Sequence, residues 1–278
     1  MRIGTRGSAL ALAQAHGVAQ ALGGEVEVVT ITTSGDRDRA AGDKEKWVKE
    51  LELALLAGEV DLAVHSAKDV PSELPAGLDL VGAPPRENPF DALVGAPSLA
   101  ALPTGARVGT ASLRRAAQLR ALREDLEVVE LRGNVDTRLG KLAAREVDAA
   151  VLAVAGLVRL GREDAVDAVL EELVPAPGQG VIALEARKGD ESAREAAGAI
   201  TDAPSWVALQ AERTLVAALD ASCHTPMGAH AVNGVIRSFV GLPDGSAWLR
   251  DEAPAAEAAQ RLLSAGAADL LRRAEAMA

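Results

Sequence analysis

Short apolar runs alternate with longer stretches of helical spacing along most of this chain, and that alternation limits the folds open to it more than any other feature. Strand, helix and strand in succession form the repeating unit of a mostly parallel sheet with helices on its faces, so the pattern predicts an α/β architecture. Arg2 to Thr5 reads as the first strand and Ala9 to Leu22 as its helix, with Ser8 placed to cap it. Val26 to Thr32 is β-branched and strand-like, and Trp47 to Ala57 has helical spacing closed by Gly58. Asp61 to His65 reads as a buried strand.

The alternation breaks at Ala83-Pro84-Pro85-Arg86-Glu87-Asn88-Pro89 and again at Pro175-Ala176-Pro177-Gly178-Gln179-Gly180. Between the breaks lies a second set: strands Ala92 to Val94, Arg107 to Gly109, Leu126 to Leu131 and Asp148 to Ala153, with helices Leu113 to Arg123 and Val135 to Arg145. Val181 to Ala186 then resumes a strand pattern. The expectation is a first lobe of residues 1–84 and 181–200, into which a second lobe, 88–175, is inserted. The chain would cross twice between them and leave a hinged cleft. Residues 204–278 read as a small α+β third domain: a helix leading to Cys223, a hairpin turning at Pro243-Asp244-Gly245, and one amphipathic helix from Ala255 to Ala276.

Composition narrows the function. A net charge of −11 disfavours a general role on nucleic acid or anionic membranes, and 2% aromatics with no Tyr leaves little for stacking on single-stranded bases. No run reaches the ~18–20 apolar residues of a membrane span. The opening Met1-Arg2-Ile3-Gly4-Thr5-Arg6-Gly7-Ser8 lacks the pattern of a secretory signal, and Cys223, the single cysteine, cannot form an internal disulfide. The expected compartment is the cytoplasm. The basic residues divide into 23 Arg and 6 Lys. Codon bias explains such an excess at a surface, whereas paired recognition of carboxylates explains it in a site, and position has to decide.

Open parallel sheets bind ligands beyond the carboxyl ends of their strands, where this chain repeatedly places polar residues. Arg6 and Ser8 follow the first strand; Thr110, Ser112, Arg114 and Arg115 follow the strand ending at Gly109; Arg132, Gly133 and Asn134 follow Leu131, with Arg138 one turn on. Ser8, Ser112 and Asn134 suit ordinary helix capping. The arginines need more, because the helix dipole disfavours a cation in a first turn, and a bound anion supplies the reason. In Val64-His65-Ser66-Ala67-Lys68-Asp69-Val70-Pro71 a buried strand ends in four polar residues. Lys68 and Asp69 read either as a surface pair or as a cleft-edge group able to move protons and face a developing cation. The loop Leu219-Asp220-Ala221-Ser222-Cys223-His224-Thr225-Pro226-Met227-Gly228 is too polar for a core segment, and Cys223 beside His224 hints at an activated thiol. The four His lack zinc-ligand spacing, so no metal is expected.

Taken in order, these pieces resemble the porphobilinogen deaminase (hydroxymethylbilane synthase) family. The matching stretches are Thr5-Arg6-Gly7-Ser8, Val48-Lys49-Glu50-Leu51-Glu52, His65 to Pro71, Gly109 to Arg115, Leu131-Arg132-Gly133-Asn134, Leu152 to Leu157, Gly178-Gln179-Gly180 and the Cys223 loop. The resemblance implies two periplasmic-binding-protein-like (type II) lobes around a hinged cleft, plus the small C-terminal domain. It implies a dipyrromethane cofactor joined by a thioether to Cys223, on which four porphobilinogen units add head to tail with loss of ammonia before hydrolysis releases hydroxymethylbilane.

By the same resemblance Asp69 is the catalytic carboxylate, stabilising a cationic azafulvene. Ser66, Lys68, Thr110, Ser112, Arg114, Arg115 and Arg132 hold the cofactor, and Arg6, Ser8, Lys49, Arg132, Arg138 and Gln179 hold substrate. The family suggests a monomer handing its product to the next pathway enzyme. Two departures stand out. The lid segment between Gly35 and Lys49 is short and reads Asp43-Lys44-Glu45-Lys46-Trp47, with Trp47 in place of a stacking phenylalanine, and Ala111 stands where serine is common. Rival readings are a solute-binding protein for an organic anion, which needs no Cys223 loop, and the effector domain of a regulator, for which no DNA-binding unit is visible.

Overall fold

The computed structural model describes residues 1–33, 45–222 and 225–277, with the side chains of residues 45–47 left aside. It forms two compact units, Met1–Glu87 with Gly180–Gln210, and Asn88–Gln179 with Ala211–Ala278. The first unit opens with β1 (Arg2–Arg6), whose Ile3, Gly4 and Thr5 are buried. Ser8 then caps α1 (Ala9–Leu22), its hydroxyl accepting from the Ala11 amide at 3.3 Å. The strand β2 (Glu27–Ile31) pairs parallel with β1, helix α2 (Glu45–Leu56) follows, and β3 (Leu62–Ser66) pairs parallel on the other side of β1. A 3-10 turn, Ala67–Asp69, carries the chain off the end of β3, and β4 (Leu78–Gly82) completes this part. One face of the sheet packs Ile3, Leu62, Val64 and Leu184 against Ala15 and Val18 of α1. The other packs Ala63 and Leu78 against Leu51, Ala54 and Leu55 of α2. Burial on both faces explains why these strands read as apolar runs rather than alternating ones.

In the second unit β5 (Asp91–Val94) and β6 (Arg107–Gly109) are followed by α3 (Leu113–Leu122), β7 (Glu127–Val129), α4 (Val135–Ala143), β8 (Ala149–Ala153), α5 (Val154–Arg159) and β9 (Ala168–Leu170). The sheet order is β7-β6-β8-β5-β9. Ser112 caps α3, accepting from the Arg115 amide at 3.4 Å, and Asn134 caps α4, accepting from Thr137 at 2.8 Å. Gly133 sits at φ +124°, and a Cβ there would lie 2.6 Å from the Thr137 methyl, so only glycine fits this approach to α4.

The chain then returns to the first unit as β10 (Ile182–Arg187), α6 (Glu191–Ala199) and the start of α7 (Ala203–Ala218), which Asp202 caps through the Ser205 amide at 2.9 Å. Both sheets are mixed, where the sequence pattern predicted mostly parallel ones. β10 lies antiparallel between β3 and β4, and β5 lies antiparallel between β8 and β9. Parallel neighbours require a helical crossover, but β5 and β10 are entered directly from the proline-rich crossings, which impose no such direction.

The remaining elements are β11 (Met227–Val232), β12 (Val235–Gly241) and β13 (Trp248–Pro254), a three-stranded antiparallel sheet, then α8 (Ala255–Ser264) and α9 (Ala267–Glu275). The turn from β12 to β13 runs through Pro243-Asp244-Gly245, as the sequence predicts. The single helix expected from Ala255 to Ala276 is two, because Gly266 adopts φ +98° and ends the helical path, and each half then buries its own apolar stripe. Among the described residues no helix is long and apolar enough to cross a membrane.

Candidate functional site

In the first unit, the carboxyl ends of β1 and β3 lie side by side, and the residues that follow them line one pocket. Arg6, Ser8, Leu10, Ala11, Gln14, Val48, Val64, His65, Ser66 and Asp69 form its wall. Four of the residues singled out from sequence, Arg6, Ser8, Ser66 and Asp69, are thus brought together. Lys49 is exposed, and neither it nor Lys68 lines this pocket, although Val48 does.

The pocket also contains two residues to which the sequence assigned no role, Gln14 and His65. Gln14 is buried on α1 and donates from Nε2 to the Ser66 hydroxyl at 2.8 Å, which sets the direction of that hydroxyl. Its signal was a polar residue inside the buried stripe Ala11, Ala15, Val18. His65 contacts Glu185 on β10, Nε2 to Oε2, at 2.9 Å. A single acid in the apolar run Val181-Ile182-Ala183-Leu184-Glu185-Ala186 is the visible trace of that pair.

The second unit gathers a different cluster around Asp91, the first residue of β5, which is fully buried. Arg115 donates to Asp91 Oδ1 from Nε at 2.9 Å and from a terminal nitrogen at 2.7 Å. Arg114 pairs with Oδ2 at 2.8 Å. Gln179 donates from Nε2 to Oδ1 at 2.8 Å and to the Pro89 carbonyl at 2.7 Å. Arg114 also donates to the Val174 carbonyl and Arg115 to the Val151 carbonyl. Burial alone would raise the Asp91 carboxyl; the two guanidiniums and the hydrogen bonds from Arg115 and Gln179 override it and hold the group below the ordinary carboxylate range. Burial pulls Arg114 below the usual arginine value, Asp91 opposing and Arg115 adding to the fall. Arg138, partly buried on α4, donates Nε to the Gly133 carbonyl at 2.8 Å. It is drawn down to about 10, first by burial and then by repulsion from Arg115.

The other expected residues divide by environment. Arg132 is exposed and pairs with Glu130 at 2.6 Å, which raises it. Such a surface pair contributes little to stability. Thr110 is buried and accepts from the Ser112 amide at 3.2 Å, while the Ser112 hydroxyl is occupied as a cap. Cys223 and His224, the lid residues 34–44 and the Trp47 side chain lie outside what the structure describes. Beside that loop, Thr225 donates its hydroxyl to the Ser222 carbonyl at 2.7 Å. The buried Glu212 of α7 ties the Gly178 amide, at 2.6 Å, to the Ala231 amide of β11, at 2.8 Å. Among the described residues no group of His, Cys, Asp and Glu is arranged to hold a metal.

Two family models cover this chain almost end to end: "Porphobilinogen deaminase, dipyromethane cofactor binding domain" matches residues 1–195 and "Porphobilinogen deaminase, C-terminal domain" matches 206–267. The chain belongs to the porphobilinogen deaminase family. A porphobilinogen deaminase of Roseiflexus sp. (strain RS-1) is 51% identical over 261 residues, covering 87% of this chain and 86% of the relative. That of Deinococcus radiodurans is 45% identical over 299 aligned positions, covering 97% of each chain. Among solved structures, the methionine-binding protein MetQ aligns at TM-score 0.48 and 16% identity over 77% of this chain and 95% of its own, a likeness too distant to carry weight.

The residues present suit the carboxylate-bearing cofactor that the porphobilinogen deaminase family binds. Arg114 Nε is buried without a hydrogen-bond acceptor among the described residues. Arg114 and Arg115 share one acid, Asp91, and Arg138, repelled by Arg115, has no acidic partner among the described residues, so positive charge is in excess at a largely buried place. An anionic ligand answers both features.

Proposed function

We propose that this chain condenses four porphobilinogen molecules head to tail into the linear tetrapyrrole hydroxymethylbilane, releasing ammonia at each addition, as a hydroxymethylbilane synthase. The dipyrromethane group, when bound, supplies a tethered pyrrole end to which rings are added and which stays on the protein when product is hydrolysed away. The observation that carries the reading is the single pocket in which Asp69 stands with Arg6, Ser8 and Ser66. Arg6 and Ser8 bind the acetate and propionate arms of the incoming ring through charge-assisted hydrogen bonds. Asp69 faces the positive charge that develops as ammonia departs, and takes hydrogen bonds or a proton from the pyrrole nitrogen. Ser66, oriented by Gln14, adds a hydroxyl at the same place.

In the second unit Arg114, Arg115, Arg132 and Arg138 hold the carboxylates of the cofactor and of the growing chain, with Thr110 and Ser112 completing the lining. Lys49, Lys68 and Gln179 are assigned to the same binding surfaces. Cys223 is the attachment point, an anchor and not a recycled nucleophile, carried by a separate C-terminal domain. The enzyme works in the cytoplasm as a monomer and hands its product to the next enzyme of the pathway.

Intact mass tests the assignment. Purified protein should exceed its sequence mass by one dipyrromethane and colour with acid Ehrlich reagent, whereas Cys223→Ser should do neither and should not turn over. A fully active preparation at the bare sequence mass would overturn it.

A further inference from the structure

Asp91 is shared by Arg114 and Arg115, and it reaches them with separate oxygens. Oδ1 takes the Nε and terminal nitrogen of Arg115 together with Gln179, while Oδ2 takes Arg114. The carboxylate is completely shut off from water, and the Arg114 and Arg115 side chains are 5% and 6% exposed. The geometry therefore serves orientation: with two bonds to Asp91 and one to the Val151 carbonyl, Arg115 has no rotational freedom left. It also sets charge. Arg138 receives no acidic partner among the described residues and is opposed by Arg115. Three guanidiniums against one carboxylate leave a net charge of plus two, in a place where excess charge is costly until an anion compensates it.

We infer that Asp91 is a charge-setting positioning residue, which orients Arg114 and Arg115 and cancels one of three guanidiniums so that the cluster is matched to a ligand bearing two carboxylates. That number is the pair of acid arms on one pyrrole ring, so the inference rests on the function proposed above and gives it a count. Gln179 belongs to the same device. By donating to both Asp91 and the Pro89 carbonyl, it fixes the carboxylate against the peptide segment that leads into β5.

A charge cycle on the full-length chain tests this. Wild type, Asp91→Asn, Arg138→Gln and the double variant are melted at low ionic strength with and without sulfate as a dianionic probe, and their intact masses are measured. Asp91→Asn should melt roughly 10 °C lower than wild type. The double variant, which restores the original net charge, should recover at least half of that loss, and sulfate should raise the melting temperature of Asp91→Asn more than that of wild type. If the double variant is no better than Asp91→Asn and sulfate moves both proteins alike, Asp91 is a hydrogen-bond anchor only and the inference fails. Should Asp91→Asn be insoluble, a soluble double variant supports the inference and an equally insoluble one overturns it. Rescue in proteins none of which, wild type included, carries the cofactor mass would uphold the charge balance and remove the carboxylate assignment beneath it.

Discussion

His65 Nε2 lies 2.9 Å from Glu185 Oε2, with the two side chains 3% and 0% exposed, so an acid and an imidazole face each other across adjacent strands with no water between them. The register places His65 opposite Ala183 and Glu185 opposite Ala63, so the contact is a diagonal one between β3 and β10. Glu185 Oε1 has no hydrogen-bond partner among the described residues. Among the described residues His65 is therefore the partner of a completely buried carboxyl, and it sits on the wall of the Asp69 pocket.

Removing either member alone should be severe, because the other is left buried and uncompensated. His65→Leu should lower the unfolding free energy by about 3–5 kcal/mol, and His65→Leu with Glu185→Leu should regain most of it. Urea unfolding of the four proteins in the cycle measures this. A single variant within about 1 kcal/mol of wild type would show that the pair does not couple.

Asp69 is a different kind of residue, partly buried at the end of a 3-10 turn and on the wall of the pocket, outside the hydrophobic core. Asp69→Ala should reduce turnover of porphobilinogen on the order of 10³-fold while leaving the melting curve within a few tenths of a kcal/mol of wild type. Near-normal turnover, or loss of activity accompanied by unfolding, would remove Asp69 from the proposed role.

Arg138 should show the opposite balance of stability and function. Unfolded, it keeps its proton to the ordinary arginine value, whereas in the fold that value falls to about 10. At any pH below about 10 both states are charged, and the folded state alone bears the desolvation and the repulsion of Arg115. The penalty is relieved only as pH rises through about 10. Arg138→Gln should accordingly stabilise the cofactor-free chain by roughly 1–2 kcal/mol at neutral pH, after loss of the bond to Gly133, and slow chain elongation at least tenfold, roughly the worth of one charge-assisted hydrogen bond. Unaltered or lower stability at low salt would count against the desolvated cation.

Acid should act through Asp91. Its carboxyl lies below the ordinary 3.8 in the fold, so its contribution is fully present above about pH 4 and disappears as pH falls through the folded value. The stability difference between wild type and Asp91→Asn, measured by urea unfolding, should hold steady from about pH 7 to pH 5 and shrink below about pH 4. A difference independent of pH across that window would mean the carboxylate charge is not what matters.

While β4, β9, α5 and α6 went unread and α8 and α9 read as one helix, local pattern alone specified many of the strands and helices, three of the caps, and which strand ends carry polar residues. Each follows from nearest-neighbour physics: the spacing of apolar side chains, a hydroxyl or amide before a first turn, a proline that ends a run. The first strand and helix, the caps Ser8, Ser112 and Asn134, and the turn at Gly245 were readable for that reason. Strand direction was not, since β5 and β10 pair antiparallel through partners remote in sequence.

Nor could the sequence say which arginine is spent and which is left to bind. Arg114, Arg115, Arg132 and Arg138 look alike as letters, yet tertiary packing brings Asp91 from one strand and Gln179 from a distant loop onto the first two, sets Glu130 beside the third, and leaves the fourth desolvated with no acid among the described residues. Charge and burial are properties of a neighbourhood in space. Asp91 and Glu185 were visible only as acids interrupting apolar runs, until the fold supplied the guanidiniums and the imidazole that make them tolerable there.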